Sequence, residues 1–539
     1  VFPHQRGNRH SGWIMPGYGE SSARGQYLDG LGYYWAPNDY WDSKFTMSFA
    51  DRQGITMRLN NAYRKRYGFS GNLNLENRQN FPSGLGQSER DITQLLNNRQ
   101  SDYVVSWNHN QVLRNDQTLR VNASYYSNGE YNRITGIDPV KRLSQQARSN
   151  ATYTKRWRKS NNSISINMSS STDLMVDQKI DPSSVFYSNP VRSGTELDIA
   201  SSTFPKISFR HGQRKLFKQR GGKQKWYHNI GYNYSANFNN KLRTYYESEA
   251  YAIDDSTTDY RWITDSDSAG VVNTFNDYVT NHSMGINAPQ KVFKYITVNP
   301  SMNLRSVWVN KSFSGHFDTS GTFIKDEISG FAQRTTGSMG VSVSTQLYGM
   351  FPIGIGSLRS IRHVMSPSIG YSYTPDFSKP LFGTDLGYFE TITQDSLSQT
   401  IDRFSGTLAG GTPSGERQSM NISLNNSFQA KVRGGEKERK VNLFTWRMQT
   451  GYNFVAESFK LSQLRSSVRT NIAGKLNLDL SMTHDFYEFD PQTGSRIDEY
   501  RVTESGIPNP RLMNMSLSTG FKFSGKRFAA KLEEEAEAD

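Results

Sequence analysis

The sequence predicts an all-β fold, a large antiparallel transmembrane β-barrel of which about twenty strands are visible. Three observations predict it. Apolar residues alternate with small polar ones in many short segments, aromatic residues are abundant in an otherwise polar chain, and turn-forming clusters divide the 539 residues into pieces of strand length. A barrel with a polar interior accounts for all three.

Strict alternation of apolar and polar residues is the most informative pattern. It occurs at residues 163–169, 420–425 and 476–482, among other places. Because successive side chains of a strand point to opposite faces, each of these segments has one apolar and one polar face. Repetition of the pattern over hundreds of residues predicts a wall with a lipid-facing side and a wet side.

The composition agrees with such a wall. Hydrophobic residues, counted with Tyr but without Gly, make up 35% of the chain, and the mean hydropathy is -0.70. Soluble domains are about 45–50% apolar when Gly is counted and Tyr is not. A chain this polar is expected to be disordered, except that 13% of it is Phe, Trp and Tyr. Aromatic residues without a general apolar core fit interfacial girdles around a polar lumen.

Several classes of function lose support from what the chain lacks. No run of eighteen apolar residues exists, so no helix is expected to span a membrane. Cysteine is absent, which excludes disulfides, thiolate metal sites and a cysteine nucleophile. The nine histidines form no ligand pair or triplet. We therefore expect no metal, no cofactor and no catalytic residues, and the protein is not predicted to be an enzyme.

The net charge of +14 favours anionic partners such as phospholipid headgroups or phosphorylated glycolipid. Nucleic acid is not an expected partner, because the cations are scattered instead of being gathered on one face with stacking aromatics. The densest cluster covers residues 210–225, between two strand-like segments. It is predicted to be a solvated hairpin loop rather than a specific anion site.

Taken in order, the strand candidates are joined by connections of two kinds. A short turn at 52–54 joins the candidates 45–49 and 55–59. Long polar connections follow at residues 77–100, 174–197, 250–275, 376–400 and 484–510. Short turns at one end and long loops at the other are typical of an outer-membrane barrel. No fixed repeat period of the kind found in propellers or solenoids is visible.

Motif-like segments point to one family. Residues 11–42 contain an S-G-x-x-x-P stretch followed by Y-Y-W and N-D, and residues 63–73 follow with strand character. Residues 362–375 carry an R-H-x-x-x-P element followed by Y-x-Y-x-P, and residues 402–406 form a later segment. In this order the segments resemble the LptD family, which assembles lipopolysaccharide at the outer membrane of Gram-negative bacteria.

The resemblance implies a role for some residues. The junction between a periplasmic β-jellyroll and the first barrel strands corresponds to Pro16, Tyr33, Tyr34, Trp35 and Pro37. The later family motif corresponds to Arg362, His363 and Pro367. The lateral gate, as the edge of the first barrel strand, corresponds to Phe45, Thr46, Met47, Ser48 and Phe49. For these five, ordinary barrel positions are an equally good interpretation.

The resemblance also implies partners and a mechanism. A barrel of about 26 strands is expected for the family. It would pass lipopolysaccharide through its lumen and release it into the outer leaflet through a seam between the first and last strands. The expected partners are lipopolysaccharide, outer-membrane lipids, a plug lipoprotein like LptE and a periplasmic bridge protein like LptA.

This chain departs from the best-known branch of the family. It has no cysteines, so barrel assembly cannot be gated by disulfide rearrangement. Gly32 and Met47 lie near the positions where that branch has strand-weakening prolines, and Pro37 is best interpreted as part of a turn.

The domain prediction has three parts. Residues 1–30 are the end of the jellyroll and the junction, residues 31–525 are the transmembrane barrel, and residues 526–539 are an acidic loop or tail. The chain opens at Val1, which is expected of a processed or trimmed start, and closing strands are expected beyond Asp539.

Two alternatives stay open on the sequence alone. One is another outer-membrane barrel transporter, porin-like or TonB-coupled. A TonB-coupled barrel needs a globular plug before its first strand, and about thirty residues precede it here. The other is a secreted β-rich adhesin or carbohydrate-binding protein, which would be soluble without detergent.

Overall fold

Most of the described chain is β-strand. The computed structural model describes residues 10–22, 24–80, 101–114, 116–127, 146–184, 186–219, 221–252, 258–263, 273–355, 358–434, 437–472, 476–503 and 506–521. The described residues include one short α-helix, α1 (Val176–Ile180), and one 3₁₀ helix (Trp226–Asn229). No described helix has both the length and the apolar character needed to cross a membrane.

The strands of the first half have the following bounds: β1 (Gly12–Ile14), β2 (Gly17–Ser21), β3 (Gly25–Asn38), β4 (Trp41–Ala50), β5 (Gly54–Lys65), β6 (Phe69–Asn80), β7 (Ser101–Arg114), β8 (Gln117–Tyr126), β9 (Gln146–Trp157), β10 (Asn162–Asp173), β11 (Glu196–Lys215), β12 (Gly231–Ala252), β13 (Thr258–Trp262) and β14 (Asn273–Asn287).

The strands of the second half follow in the same way: β15 (Gln290–Val292), β16 (Ile296–Phe317), β17 (Phe323–Ser344), β18 (Leu347–Ile355), β19 (Leu358–Thr374), β20 (Phe389–Gln394), β21 (Leu397–Asp402), β22 (Arg417–Gly434), β23 (Lys437–Asn453), β24 (Leu464–Ile472), β25 (Leu476–Asp485), β26 (Tyr487–Phe489), β27 (Arg496–Tyr500) and β28 (Arg511–Phe521).

One antiparallel sheet contains 24 of these strands, and neighbouring positions in the sheet follow the order of the chain. At some positions in the sheet the chain breaks and resumes, so that successive strands lie end to end beside the same neighbour. These are β1 and β2 beside β3, β13 and β14 beside β12, β14 and β15 beside β16, and β17 and β18 beside β19. The sheet therefore has twenty successive positions. This confirms the all-β prediction and the expected number of visible strands. The remaining strands form two separate hairpins, β20–β21 and β26–β27.

The connections alternate between the two ends of the sheet. The short-turn end, as we call it, carries residues 39–40, 66–68, 158–161 and 293–295. The opposite, long-loop end carries residues 174–195, 375–416, 454–463 and 486–510. Two connections at the long-loop end, 51–53 and 318–322, are nevertheless short. The predicted asymmetry is thus present, and both separate hairpins lie within long-loop connections.

The basic cluster is the exception at the short-turn end. Residues 216–230 join β11 to β12, so the cluster is a hairpin loop as predicted. The 3₁₀ helix lies inside this loop, and Gln290 of β15 donates its side-chain N–H to the Trp226 carbonyl at 2.8 Å. The loop is therefore held against the neighbouring turn.

The strand register gives the sheet two unlike faces. In β12, the side chains of Tyr232, Tyr234 and Phe238 alternate with those of Asn233 and Asn237. Their partners in β14 keep the division, because Tyr234 lies opposite Met284 and Asn237 lies opposite Asn281. We call the two sides of the sheet the apolar face and the polar face. A one-residue slip would exchange the faces, so removal of one face from water would fix the register.

Residues 526–539, predicted to be an acidic loop or tail, lie outside the described residues. Within the described part, β28 pairs only with β25, and β1 and β2 pair only with β3. The division of the chain at residue 30 stays a prediction; this residue lies inside β3.

Candidate functional site

The polar face is built from short polar side chains and arginines. In β22, Asn421, Ser423 and Asn425 point to it, whereas Ile422 and Leu424 point to the apolar face. Neutral hydroxyl and amide groups offer both donors and acceptors, so this surface can hydrogen-bond to water and sugars without being tied to one ligand. The polar face is therefore the candidate path for a hydrophilic cargo.

The strand proposed as the gate edge has neighbours on both sides. Residues 45–49 lie in β4, which pairs with β3 and with β5. The prediction that these residues form the outermost edge is therefore wrong within the described residues, since β3, β1 and β2 lie outside them. The resemblance places Tyr33, Tyr34, Trp35 and Pro37 in the junction, whereas the structure places them in a strand, β3, that lies before β4. The role of residues 45–49 in gating stays a prediction.

The two ladders of β4 differ in regularity. The β4–β5 ladder pairs every residue from Trp41↔Tyr63 to Ala50↔Gly54 without a shift. The β3–β4 ladder has two register shifts, between Leu28 and Leu31 and between Trp35 and Asn38. Gly30 adopts φ +80°, a left-handed conformation that favours glycine. Fewer regular hydrogen bonds make β3–β4 the weaker of the two seams.

The predicted junction residues lie along β3 and just before it. Tyr33 points to the apolar face and packs edge-on against Trp13 with ring centroids 5.3 Å apart, and Trp35 packs in the same way against Trp41, also at 5.3 Å. Pro16 lies in the interruption between β1 and β2, where proline cannot donate to a ladder. Tyr34 and Pro37 are also in β3. Their role as a link to a jellyroll stays a prediction.

The residues of the later motif all lie in β19 and separate by face. His363 stacks on Phe428 of the apolar face, with ring centroids 4.3 Å apart. Arg362 points to the polar face, with its guanidinium 5.1 Å from the ring centroid of Tyr348. Pro367 lies opposite the break between β17 and β18, and its carbonyl accepts the N–H of Thr345 at 3.2 Å. Proline suits this place because no regular ladder partner faces its nitrogen.

A feature that the sequence did not reveal is a loop that folds over the polar face. Residues 375–416, which we call the covering loop, join β19 to β22 and contain the hairpin β20–β21. Its Phe377, Tyr388 and Phe404 form a buried apolar cluster with three wall residues of the polar face, Val279, Val307 and Val309. Apolar side chains on an otherwise polar face are thereby removed from water.

Polar contacts surround this apolar cluster. Arg334 of β17 is 4% exposed and donates to the Gly410 carbonyl at 3.0 Å and to the Thr412 hydroxyl at 2.9 Å. That hydroxyl donates in turn to the Asp402 carboxylate at 2.7 Å. The phenolic oxygen of Tyr388 bridges the backbone N–H and C=O of Thr335, at 2.8 Å each. The covering loop therefore caps a stretch of strand that β19 does not reach.

The ends of the covering loop are joined by one carboxylate. Asp376 accepts hydrogen bonds from the Ser378 hydroxyl at 2.6 Å and from the Gly415 N–H at 3.0 Å. The hydrogen bond from the Ser378 side chain is the main reason that the pKa of Asp376 is lower than usual. Because the folded pKa is lowered, this contribution to stability is present above the unfolded pKa and is lost as pH falls through the folded pKa.

Two cations near the covering loop have acidic partners. Lys311 of β16 is nearly buried and lies 3.1 Å from an oxygen of Asp277 and 2.8 Å from one of Glu327. Arg243 of β12 contacts Asp198 and Glu196, the latter at 2.8 Å. A buried ion is tolerated when it is paired and hydrogen-bonded, so these groups keep the long-loop end of the polar face electrically balanced.

Within the described residues, no group of three or more His, Asp or Glu side chains is arranged to hold a metal ion. The segment 402–406 resembles the family but has no role assigned from the sequence. In the structure it contributes Phe404, which is 3% exposed, to the buried cluster under the covering loop. The available signal was an aromatic and two charged residues in a long connection otherwise rich in Gly, Ser and Thr.

The chain has only weak similarity to solved structures. No curated protein matches the chain. Among solved structures, the chain is similar to the FrpB iron transporter of Neisseria meningitidis, with 10% identity over 92% of this chain and 74% of that one and a TM-score of 0.28. The siderophore receptor PirA of Acinetobacter baumannii gives 11% identity, 92% and 73% coverage, and the same TM-score, 0.28. These scores are too low to define a common fold.

A family match covers most of the chain. A family described as "LptD protein" matches residues 1–487, which includes the junction, the wall as far as β25 and the covering loop. The sheet with its two faces agrees with a large barrel wall, and the four motif-like segments lie within the match. The chain therefore belongs to the LptD family of outer-membrane transport proteins.

Proposed function

We propose that the protein is an outer-membrane translocon that inserts lipopolysaccharide into the outer leaflet. The observation that carries the proposal is a sheet of twenty positions with an apolar and a polar face, in a chain of the LptD family. An apolar face suits lipid and a polar face suits a hydrated glycan, so one wall serves both parts of an amphipathic cargo.

The ends of the wall support an orientation. Long loops of outer-membrane barrels face outward and short turns face the periplasm. The covering loop then lies on the lumen side near the outer opening, and the basic hairpin loop lies at the periplasmic rim. Cargo would enter past the short turns and meet the covering loop before reaching the outside.

The exit is proposed at the first strands. A seam opens more easily where fewer hydrogen bonds are lost, and the β3–β4 ladder has two register shifts where β4–β5 has none. We therefore retain residues 45–49 as one lip of a lateral gate and assign the opposite lip to β3. The lipid would leave between them while its glycan stays on the polar face.

The proposed partners follow from the family. A plug lipoprotein like LptE would occupy the lumen, and a periplasmic bridge protein like LptA would deliver lipid to a jellyroll that precedes Pro16, Tyr33, Tyr34, Trp35 and Pro37. The wall would supply binding surfaces along which the cargo moves. The energy for this movement would come from outside this chain.

Depletion of the protein in its native bacterium tests the function. We expect lipopolysaccharide to disappear from the cell surface and to accumulate inside the cell envelope. Labelling of the glycan on intact cells measures the surface fraction. Purification from detergent should recover a bound lipoprotein and a band whose gel migration changes on heating. Normal surface lipopolysaccharide after depletion, with loss of one soluble nutrient's uptake instead, would favour a porin-like or TonB-coupled transporter.

A further inference from the structure

A cavity of about 600 Å³ lies on the polar face, on the short-turn side of the covering loop. It forms where β17 breaks and β18 begins, so that two connecting residues, Thr345 and Gln346, leave the regular ladder. Its volume is within the range of about 300–1,000 Å³ that is typical of small-molecule sites. We call it the entry cavity.

The walls of the entry cavity are fixed by hydrogen bonds. The Thr345 hydroxyl donates to the Tyr295 carbonyl at 3.0 Å, and its N–H donates to the Pro367 carbonyl. The hydroxyls of Ser368 and Ser423 are 2.7 Å apart on the opposite wall. This part of the cavity wall is therefore formed before any ligand arrives, which lowers the entropic cost of binding.

The charge of the entry cavity is one-sided. Lys291, Lys294 and Arg447 line it, and no acidic residue lies among its described lining residues. All three cations are exposed, and none has an ion-pair partner among the described side chains. This contrasts with Lys311 and Arg243 at the other end of the same strands, whose charges are balanced by carboxylates.

The neutral lining groups select the kind of anion. The rings of Tyr295 and Tyr348 are exposed at the cavity, and each offers a flat apolar surface next to a hydroxyl group. Gln449, Asn425 and the serine hydroxyls add donors and acceptors. A sugar ring uses both kinds of contact, while ammonium and guanidinium groups bind phosphate through charge-assisted hydrogen bonds.

We propose that the entry cavity binds the phosphorylated sugar headgroup of a glycolipid. The proposal rests on the proposed function, because it assigns a lumen site at the short-turn end, where the cargo would enter. Phosphate is held by Lys291, Lys294 and Arg447, and the sugar ring lies against Tyr295 and Tyr348. The balanced charges farther along the wall then let the anion move on instead of trapping it.

Binding to the purified full-length protein in detergent tests the site. The probe is glucosamine 1-phosphate, measured by calorimetry beside glucosamine and inorganic phosphate. We expect the triple variant Lys291→Gln/Lys294→Gln/Arg447→Gln to bind the probe at least about tenfold more weakly, since each lost contact is a hydrogen bond to a charged group. Tyr348→Ala should weaken binding of the probe but leave binding of inorganic phosphate unchanged.

The matched control removes three cations at the same end but outside the cavity: Lys215→Gln/Lys218→Gln/Lys223→Gln. It should bind the probe as the unchanged protein does. An equal loss in both triple variants, or equal affinity for inorganic phosphate and the sugar phosphate, would overturn the proposal. Heat-dependent gel migration checks that every variant keeps its fold. Because this assay needs no transport, probe binding that persists when depletion leaves surface lipopolysaccharide normal would contradict the translocon and not the site.

Discussion

Oxidation of the double variant Tyr33→Cys/Phe45→Cys is expected to stop lipopolysaccharide from reaching the cell surface. These residues lie opposite each other across the β3–β4 ladder, on the apolar face. Opposite residues have Cβ atoms about 4.5–5.5 Å apart, close enough for a disulfide after small adjustments. Since the chain has no cysteine of its own, the engineered pair has no competing thiol. Surface labelling before and after adding a reductant measures the effect.

The control uses the same strand on its other side. Phe45→Cys/Leu59→Cys joins the regular β4–β5 ladder and keeps one of the two substitutions. We expect this disulfide to form without changing surface lipopolysaccharide. If both disulfides block transport equally, or if neither does although both form, the seam between β3 and β4 is not the exit.

Replacing Phe404 with alanine is expected to release the covering loop and make the cell permeable to large hydrophilic antibiotics. Phe404 lies in the apolar cluster with Val307 and Val309. Truncating a buried Phe costs about 3–5 kcal/mol, which is large for a loop docked through one small apolar cluster and the few hydrogen bonds around it. We expect faster cleavage of the loop by added protease and a lower inhibitory concentration of vancomycin.

Phe382→Ala is the matched control, because Phe382 belongs to the same loop but is 93% exposed. It should leave both protease cleavage and antibiotic resistance unchanged. Equal sensitivity of the two variants would mean that the loop does not limit passage through the lumen. Purified Phe404→Ala protein should still show heat-dependent gel migration, since the ladders of the wall do not involve this residue.

The wall was predictable because its signal is local. A strand with one face in lipid must alternate, as β10, β22 and β25 do, and this pattern is present in the residues themselves. The asymmetry of the connections was also visible, since Gly, Asn, Asp and Ser mark turns for conformational reasons. Family membership was predicted from the order of several motif-like segments along the sequence rather than from any one of them.

Long-range features were not predictable in the same way. Val307 and Val309 are alternate residues of β16, as in any strand, but only the fold brings Phe404 of a distant loop onto them. The prediction that β4 is the first strand was wrong for a related reason. The glycines of β3 weaken its alternating pattern, and the resemblance assigns the aromatic residues of β3 to a junction. The entry cavity depends on a strand break opposite Pro367, and no local pattern in β17 marks it.

The alternation of connection lengths has a consequence for immunity to the bacterium. With the orientation proposed above, antibodies raised against intact cells should recognise the exposed parts of connections 174–195 and 454–463, where sequence can vary without disturbing the ladders. The covering loop belongs to the same end but buries Phe377, Tyr388 and Phe404. Strains that change their antigens would therefore have to keep this connection, which makes it a more durable target than its neighbours.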